Sequence, residues 1–128
     1  MDIIHVLSRG VDKRKIFLDD QDRFRFVHDL FEFNDVKPVN TSFHVFNKKY
    51  NDVRRRNINF ASENREPRKL LVKILTFCLM PNHYHLLLMP LLENSAPLFM
   101  KKLNGGYAKY FNNKYKSKGT LFESKYKS

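Results

Sequence analysis

His83 and His85 flank Tyr84 at the start of an apolar run that continues through three leucines. Side chains alternate along a β-strand, so the two histidines project from the same face with Cβ atoms roughly 6.5–7 Å apart. Two imidazoles at that spacing can converge on one metal ion, with nitrogen–metal bonds of about 2.0–2.1 Å for zinc. Histidines on apolar strands are also found simply packed in cores, and zinc-site patterns need more ligands. The spacing alone therefore leaves both interpretations open.

The residues around this pair predict the element that presents it. Pro81 favours extended backbone at Met80, and the apolar residues on either side of Pro81 read as two strands, at 70–79 and 83–89. A short turn joins them, which predicts an antiparallel hairpin with the histidines at the start of its second strand.

The first part of the chain predicts one strand and one helix. Residues 3–9 read as a first strand ended by Gly10, and Asp19 or Asp20 can cap a helix that ends near Asn34. Spacing of i, i+3, i+4 and i+7 predicts the packed face of this helix, which comprises Phe24, Val27, His28 and Phe31.

The remaining elements complete an α+β pattern. Residues 41–46 read as a strand, 47–68 as a basic insertion without clear periodicity, and 121–124 as a last short strand. A second helix begins at Pro97. Its packed face comprises Phe99, Leu103, Tyr107 and Tyr110, and its glycine pair at 105–106 suggests a close approach to sheet or phosphate. The order β-α-β-β-β-α-β predicts a single ferredoxin-like domain over 1–128, an antiparallel sheet with helices packed on one face.

Charge is distributed unevenly over the 128 residues, whose net charge is +11. Residues 1–46 contain 7 Lys and Arg against 8 Asp and Glu, whereas residues 47–128 contain 17 against 5. Such asymmetry favours a polyanionic partner, nucleic acid rather than membrane, although a merely soluble basic surface is the alternative.

Composition also bears on the core and the compartment. Twelve Phe and no Trp predict a phenylalanine-rich core. Cys78, the single cysteine, lies in an apolar run and is predicted to be buried and inert. The sequence lacks an apolar stretch of membrane-spanning length and a positively charged leader at its start, so a soluble cytoplasmic protein is expected.

The segment 80–88 resembles the HUH motif, histidine–hydrophobe–histidine, of single-tyrosine transposases. Segments 5–10, 16–22, 106–112 and 119–127 are similar to the REP-associated tyrosine transposases and to IS200-like transposase domains. The resemblance covers nearly the whole chain except the basic insertion.

This resemblance implies a chemistry. His83 and His85 would hold Mg²⁺ or Mn²⁺ with a third polar side chain, and the ion would polarise a phosphate of single-stranded or hairpin DNA. A tyrosine would attack to give a 5′-phosphotyrosine link. Imidazoles suit softer ions than magnesium, so the ion's identity comes from the resemblance alone. Some relatives dimerise, so a homodimer is compatible with the resemblance.

The relatives carry the nucleophilic tyrosine and third ligand on a helix that would follow Ser128. We therefore expect the domain without that helix, with Tyr107 as the fallback nucleophile inside the chain, although core or base-stacking roles suit Tyr107 better. A non-catalytic single-stranded or hairpin DNA-binding module is the alternative function. A hydrolase using histidine-bound metal to activate water is a third hypothesis. The predicted DNA-binding residues are Arg9, Arg14, Lys101, Lys102 and Lys109.

Overall fold

A computed structural model describes residues 2–38 and 68–128. Three strands form one antiparallel sheet in the spatial order β1-β3-β2. The strands are β1 (Ile4–Arg9), β2 (Val72–Met80) and β3 (His83–Pro90), and the helices are α1 (Asp20–Glu32) and α2 (Ser95–Tyr115), with a 3-10 turn at Val11–Lys13. The predicted α+β arrangement is confirmed. The strand predicted at 41–46, and the predicted basic insertion except Arg68, lie outside the described residues.

Alternation along β3, the central strand, separates two faces of the sheet. Tyr84, Leu86 and Leu88 are fully buried on the face that the helices cover. On that face the Tyr84 ring lies 4.6 Å from the ring of Phe26 in α1, and its hydroxyl donates to Asn104 in α2. The intervening residues, including His83 and His85, are half-buried on the opposite face. We call this second surface the open face.

The last residues of the chain run beside β1 without forming the strand predicted at 121–124. Two isolated antiparallel bridges join Gly10 to Phe122 and Leu7 to Lys127. The second is a complete pair of hydrogen bonds, 2.7 Å from Leu7 N to Lys127 O and 2.8 Å in return. Residues 122–127 thereby flank the edge of β1 that does not contact β3.

Helix α1 is capped as predicted but buries a different face. The Asp19 carboxylate accepts from the backbone N–H of Asp22 at 2.9 Å. The predicted packed face is wrong, because its members are exposed, Phe24 by 74 %. The residues that are buried instead are Asp22, Phe26, Asp29 and Leu30. Apolar residues lie on two overlapping faces of this helix, and Asp22 on the true packed face has partners in α2, Tyr110 and Tyr115, that residue spacing does not reveal.

The glycine pair of α2 serves helix packing rather than an approach to sheet or phosphate. A Cβ at Gly106 would lie 2.1–2.2 Å from ring atoms of Phe33, the residue that caps the end of α1. A Cβ at Gly105 would meet nothing within 4 Å. The helix itself begins at Ser95, two residues before the predicted Pro97.

The predicted burial of Cys78 is wrong, because its side chain is exposed. Strand β2 lies at an edge of the described sheet, and most of its residues are exposed. An apolar run suggests cover on both faces, whereas the helices cover only one. The phenylalanine-rich core is confirmed, since Phe17, Phe26, Phe99 and Phe111 are all buried.

Candidate metal and nucleic-acid site

The histidine pair stands where β3 leaves its turn, and the turn is held by neighbouring backbone. Gly10 N donates to Asn82 O at 2.9 Å, and Ile16 N donates to Pro81 O at 2.8 Å. A Cβ at Gly10 would lie 2.3 Å from the carbonyl oxygen of Arg14, so only glycine allows the chain to fold back here. The turn that delivers His83 is therefore fixed by the segment after β1.

His83 contacts the residue before it in the chain. Its Nδ1 lies 2.7 Å from Oδ1 of Asn82, and the Asn82 amide nitrogen lies 3.4 Å from the carbonyl oxygen of Lys13. The rings of His83 and His85 have centroids 5.0 Å apart and cross at 78°. The two imidazoles are thus neighbours on the open face, as the alternation of the sequence predicts.

A third imidazole, absent from the predicted site, completes this group. Nε2 of His5 lies 2.8 Å from Nδ1 of His85. The two rings are parallel within 7° with centroids 5.0 Å apart. A nitrogen contact so much shorter than the centroid separation means that the rings meet edge to edge rather than face to face. Only the register of β1 against β3 brings His5 here, which is why residue spacing could not reveal it.

The surroundings keep His85 in its neutral form. Burial lowers the pKa of its imidazole from the ordinary value, and the charges of His83 and His5 lower it further. A neutral imidazole has a nitrogen lone pair for a metal ion. His85 therefore has the protonation state that a ligand needs at neutral pH.

The imidazoles are suitable ligands for a divalent transition metal ion, but two of them are fewer than such an ion usually requires. Two imidazoles on one open surface match the preference of Zn²⁺ and related ions, and are less suited to Mg²⁺. In the part of the chain that the structure describes, no group of three or more His, Cys, Asp or Glu side chains is arranged to hold an ion. The pair can supply two ligands, and the described acidic and cysteine side chains do not add a third.

Two cationic residues are placed on the same face by strand register. Arg9 lies directly opposite His83, and Lys127 lies opposite Leu7, which in turn is opposite His85. Directly opposed residues of antiparallel strands share a face with Cβ atoms about 4.5–5.5 Å apart. Sequence reasoning missed Lys127, although its alternation with Tyr126 could have indicated an extended segment. An anion bound at the histidines would have Arg9 beside it, and Lys127 would lie one strand farther away.

The other predicted DNA-binding residues do not gather at the histidines. Arg14 covers the Phe111 ring at 5.0 Å. Lys102 donates to the carbonyl oxygens of Asp35 and Lys37, and burial lowers its pKa although Asp35 opposes that effect. Lys101 and Lys109 are exposed on α2, the layer on the other side of the sheet. Only Arg9 of the five residues adjoins the histidine pair.

Lys101 belongs to a separate concave feature. A cavity of about 360 Å³ lies between α2 and residues 119–126, beside the open position at Gly105. Its wall also includes Asn104, whose amide bonds Ser8 and Tyr84 on the helix-covered face. The cavity is therefore on the far side of the sheet from the histidines.

The tyrosines of α2 also lie on that side. Tyr107 is fully buried, and its hydroxyl donates to the carbonyl oxygen of Ile16 at 2.5 Å. Burial raises its pKa far above the ordinary value, and the charge of Asp22 raises it further. A hydroxyl so placed is difficult to ionise and is separated from His83 by the sheet. The structure thus disfavours Tyr107 as the fallback nucleophile.

Asp22 binds the two remaining tyrosines of α2. The hydroxyls of Tyr110 and Tyr115 donate to its carboxylate at 2.7 and 2.5 Å, and Lys114 Nζ donates at 2.9 Å. Burial would raise the pKa of Asp22, but these bonds and one from Leu18 N lower it overall. Burial and the Asp22 carboxylate in turn raise the pKa of both tyrosines. This cluster fastens α1 to α2.

A basic α+β domain with a strand-borne histidine pair and adjacent cations has the features of a protein that acts on nucleic acid. The model of the family described as "Transposase IS200 like" matches residues 43–128. The chain belongs to the IS200-like transposase family. This membership implies a transposase-type activity with DNA as the partner. The resemblance to the REP-associated subgroup stays a prediction. No curated protein matches the chain.

Neither of the two described helices combines the length and the apolar character that crossing a lipid bilayer requires.

Proposed function

We propose that this protein is a metal-dependent single-stranded DNA endonuclease and strand transferase that works through a 5′-phosphotyrosine intermediate. The observation that carries the proposal is the pairing of His83 and His85 on the open face, directly beside Arg9. Family membership supplies the DNA partner, and single-stranded or hairpin DNA is the form that we infer.

In this proposal the open face binds the scissile phosphate and its neighbours. His83 and His85 would hold a divalent ion, Mn²⁺ or Mg²⁺, which would supply a Lewis acid for a phosphate oxygen. Arg9 beside His83, and Lys127 farther out on the same β1 side of the histidines, neutralise phosphate charge. The rigid turn before His83 keeps its imidazole in place during binding.

The covalent step exchanges one phosphate ester for another. A tyrosine oxygen bonds to phosphorus while the bond from phosphorus to the 3′ oxygen of the preceding nucleotide breaks. The tyrosine hydroxyl loses its proton, and the released oxygen gains one to become a 3′-hydroxyl. The phosphate stays on the 5′ side, joined to the protein. We place the nucleophile, and a third metal ligand, outside the described tyrosine cluster of α2.

Cleavage of a labelled single-stranded hairpin in Mn²⁺ tests this function. We expect a nicked product and a protein–DNA adduct that survives denaturing electrophoresis. His83→Ala with His85→Ala should abolish both, whereas His28→Ala, which removes a histidine from the exposed side of α1, should abolish neither. Equal cleavage by the double variant and the unmodified protein would refute the metal-site assignment.

A non-catalytic DNA-binding module is the second candidate. It is favoured by the engagement of Tyr107, Tyr110 and Tyr115 in hydrogen bonds on the helix side of the sheet. This candidate predicts salt-dependent binding of single strands without any covalent adduct. An adduct in the hairpin experiment would exclude it.

A further inference from the structure

Both histidines of the pair use the same ring nitrogen in a hydrogen bond. Nδ1 of His83 faces Asn82 Oδ1 at 2.7 Å, and Nδ1 of His85 faces His5 Nε2 at 2.8 Å. Among the described residues, neither Nε2 has a hydrogen-bond partner. Metal-binding histidines are usually arranged in this way, with one nitrogen on the ion and the other donating to a neighbouring group.

The direction of the hydrogen bond at His83 follows from its partner. The Asn82 amide nitrogen points to the carbonyl oxygen of Lys13, a group that can only accept. The amide oxygen therefore faces His83, and an amide oxygen can only accept as well. Nδ1 of His83 must then carry the ring proton, which leaves a lone pair on Nε2.

The hydrogen bond between Nε2 of His5 and Nδ1 of His85 contains one proton, so one of these nitrogens donates and the other accepts. If Nδ1 of His85 donates, Nε2 of His5 accepts, and Nε2 of His85 keeps its lone pair for a ligand. His5 is exposed, so water can accept from its remaining Nδ1–H. This arrangement gives both histidines of the pair the same tautomer.

We propose that His5 and Asn82 are positioning residues, which keep the ring protons of His85 and His83 on Nδ1 and leave both Nε2 atoms free for a divalent cation. The metal-binding part of this inference rests on the proposed function. The two residues belong to different elements, β1 and the turn before β3, and each acts on one imidazole only. Their effects can therefore be separated.

Losing either positioning residue should change how the histidines bind metal rather than how stably the protein folds. A hydrogen bond of this kind contributes little net free energy to folding. Losing an outer partner of a metal-binding histidine typically weakens metal affinity about 10–100-fold. His5→Ala should therefore fold normally and bind Mn²⁺ about 10–100-fold more weakly than the unmodified protein.

Long-range ¹H–¹⁵N spectra of the imidazoles, recorded at pH 8 without metal, test the tautomers directly. We expect Nδ1–H at both His83 and His85. His5→Ala should release the proton of His85 alone, and Asn82→Leu that of His83 alone. His5→Gln and Asn82→Asp, which keep an accepting oxygen, should restore the Nδ1–H form. His28→Ala should change neither ring.

Mn²⁺ titration of the same variants completes the test. Weaker binding by His5→Ala and Asn82→Leu, with recovery in His5→Gln and Asn82→Asp, supports the inference. Protons on Nε2 in the unmodified protein, or an unchanged Mn²⁺ affinity in His5→Ala, overturns it. If the unmodified protein shows both Nδ1–H forms but takes up no Mn²⁺, the hydrogen-bond roles are supported and the proposed metal function fails.

Discussion

The two faces of the sheet use the same strands for different purposes. The helix-covered face carries fully buried residues such as Val6, Tyr84 and Leu86, closed over by aromatic rings from both helices. The open face carries His5, His85 and Arg9 between the buried positions of the same strands. Alternation lets adjacent residues serve the fold and the site separately. Substitutions on the helix side should therefore change stability, and those on the open face should change binding.

Substitution of Asp22 should lower stability strongly. Asp22→Ala leaves the hydroxyls of Tyr110 and Tyr115 without their acceptor and removes one partner of Lys114. Because Asp22 is fully buried, we expect a loss of about 3 kcal/mol in the free energy of unfolding by urea denaturation.

Because Asp22 lies on the helix side of the sheet, we also expect Asp22→Ala to bind Mn²⁺ with unchanged affinity at a temperature where it remains folded. A variant that unfolds no more readily than the unmodified protein would show that the cluster does not fasten α1 to α2.

Asp29 should make stability depend on pH. Burial raises the pKa of its carboxyl to about 7, although Arg25 opposes that effect, and among the described residues its Oδ2 has no hydrogen-bond partner. A pKa raised by folding means that the folded state binds the proton more tightly than the unfolded state. The stabilisation is complete below about pH 4 and disappears as pH rises to about 7.

At 1.36 kcal/mol per pKa unit, this shift is worth up to about 4 kcal/mol. Asp29→Asn removes the titration, so its unfolding free energy should change less between pH 4.5 and pH 8 than that of the unmodified protein. Urea denaturation at the two pH values measures the difference. The same pH dependence in both proteins would contradict the prediction.

The two adjacent glycines of α2 should respond in opposite directions to alanine. Gly106→Ala forces a methyl group against the Phe33 ring and should cost about 1–3 kcal/mol. Gly105→Ala meets open space and should add up to about 1 kcal/mol, because alanine favours the helix. Thermal unfolding of the pair measures both effects, and a loss of similar size at both positions would disprove the close approach of α1 to Gly106.

Substitutions of Arg9 and Lys109 should have the smallest effects. The two variants show directly which face of the sheet contributes to DNA binding. The sequence predicts both as DNA-binding residues, but only Arg9 lies beside the histidines. For single-stranded DNA binding, the slope of log K against log salt concentration should become less steep by about 0.7 in Arg9→Ala, which is the value for one phosphate contact. Lys109→Ala should leave it unchanged in fluorescence titrations. The reverse ranking would place the DNA on the helices.

The sequence predicted the elements that local signals specify. Proline and an apolar run define the hairpin, and a capping residue, Asp19 or Asp20, defines the start of α1, where the structure has Asp19. The packed face of α1 could not be predicted, because apolar residues lie on two faces of the helix and the burial of Asp22 depends on partners distant in the chain. The exposure of Cys78 could not be predicted, because hydrophobicity does not reveal which face of a sheet the helices cover.

Only part of the candidate site could be predicted from the sequence. His83 and His85 are close in sequence, so their shared face follows from alternation alone. His5 and Lys127 reach that face only through strand register, which joins Leu7 to His85 on one side and to Lys127 on the other. Residues brought together across 80 or more positions leave no local pattern.

Whether the open face binds a metal ion can be measured by titration calorimetry with Mn²⁺. We expect one ion bound per chain, lost when His83 and His85 are both changed to alanine and retained in His28→Ala. No uptake by the folded, unmodified protein, with or without a DNA hairpin, would refute metal binding at this face, as would equal uptake by the double variant.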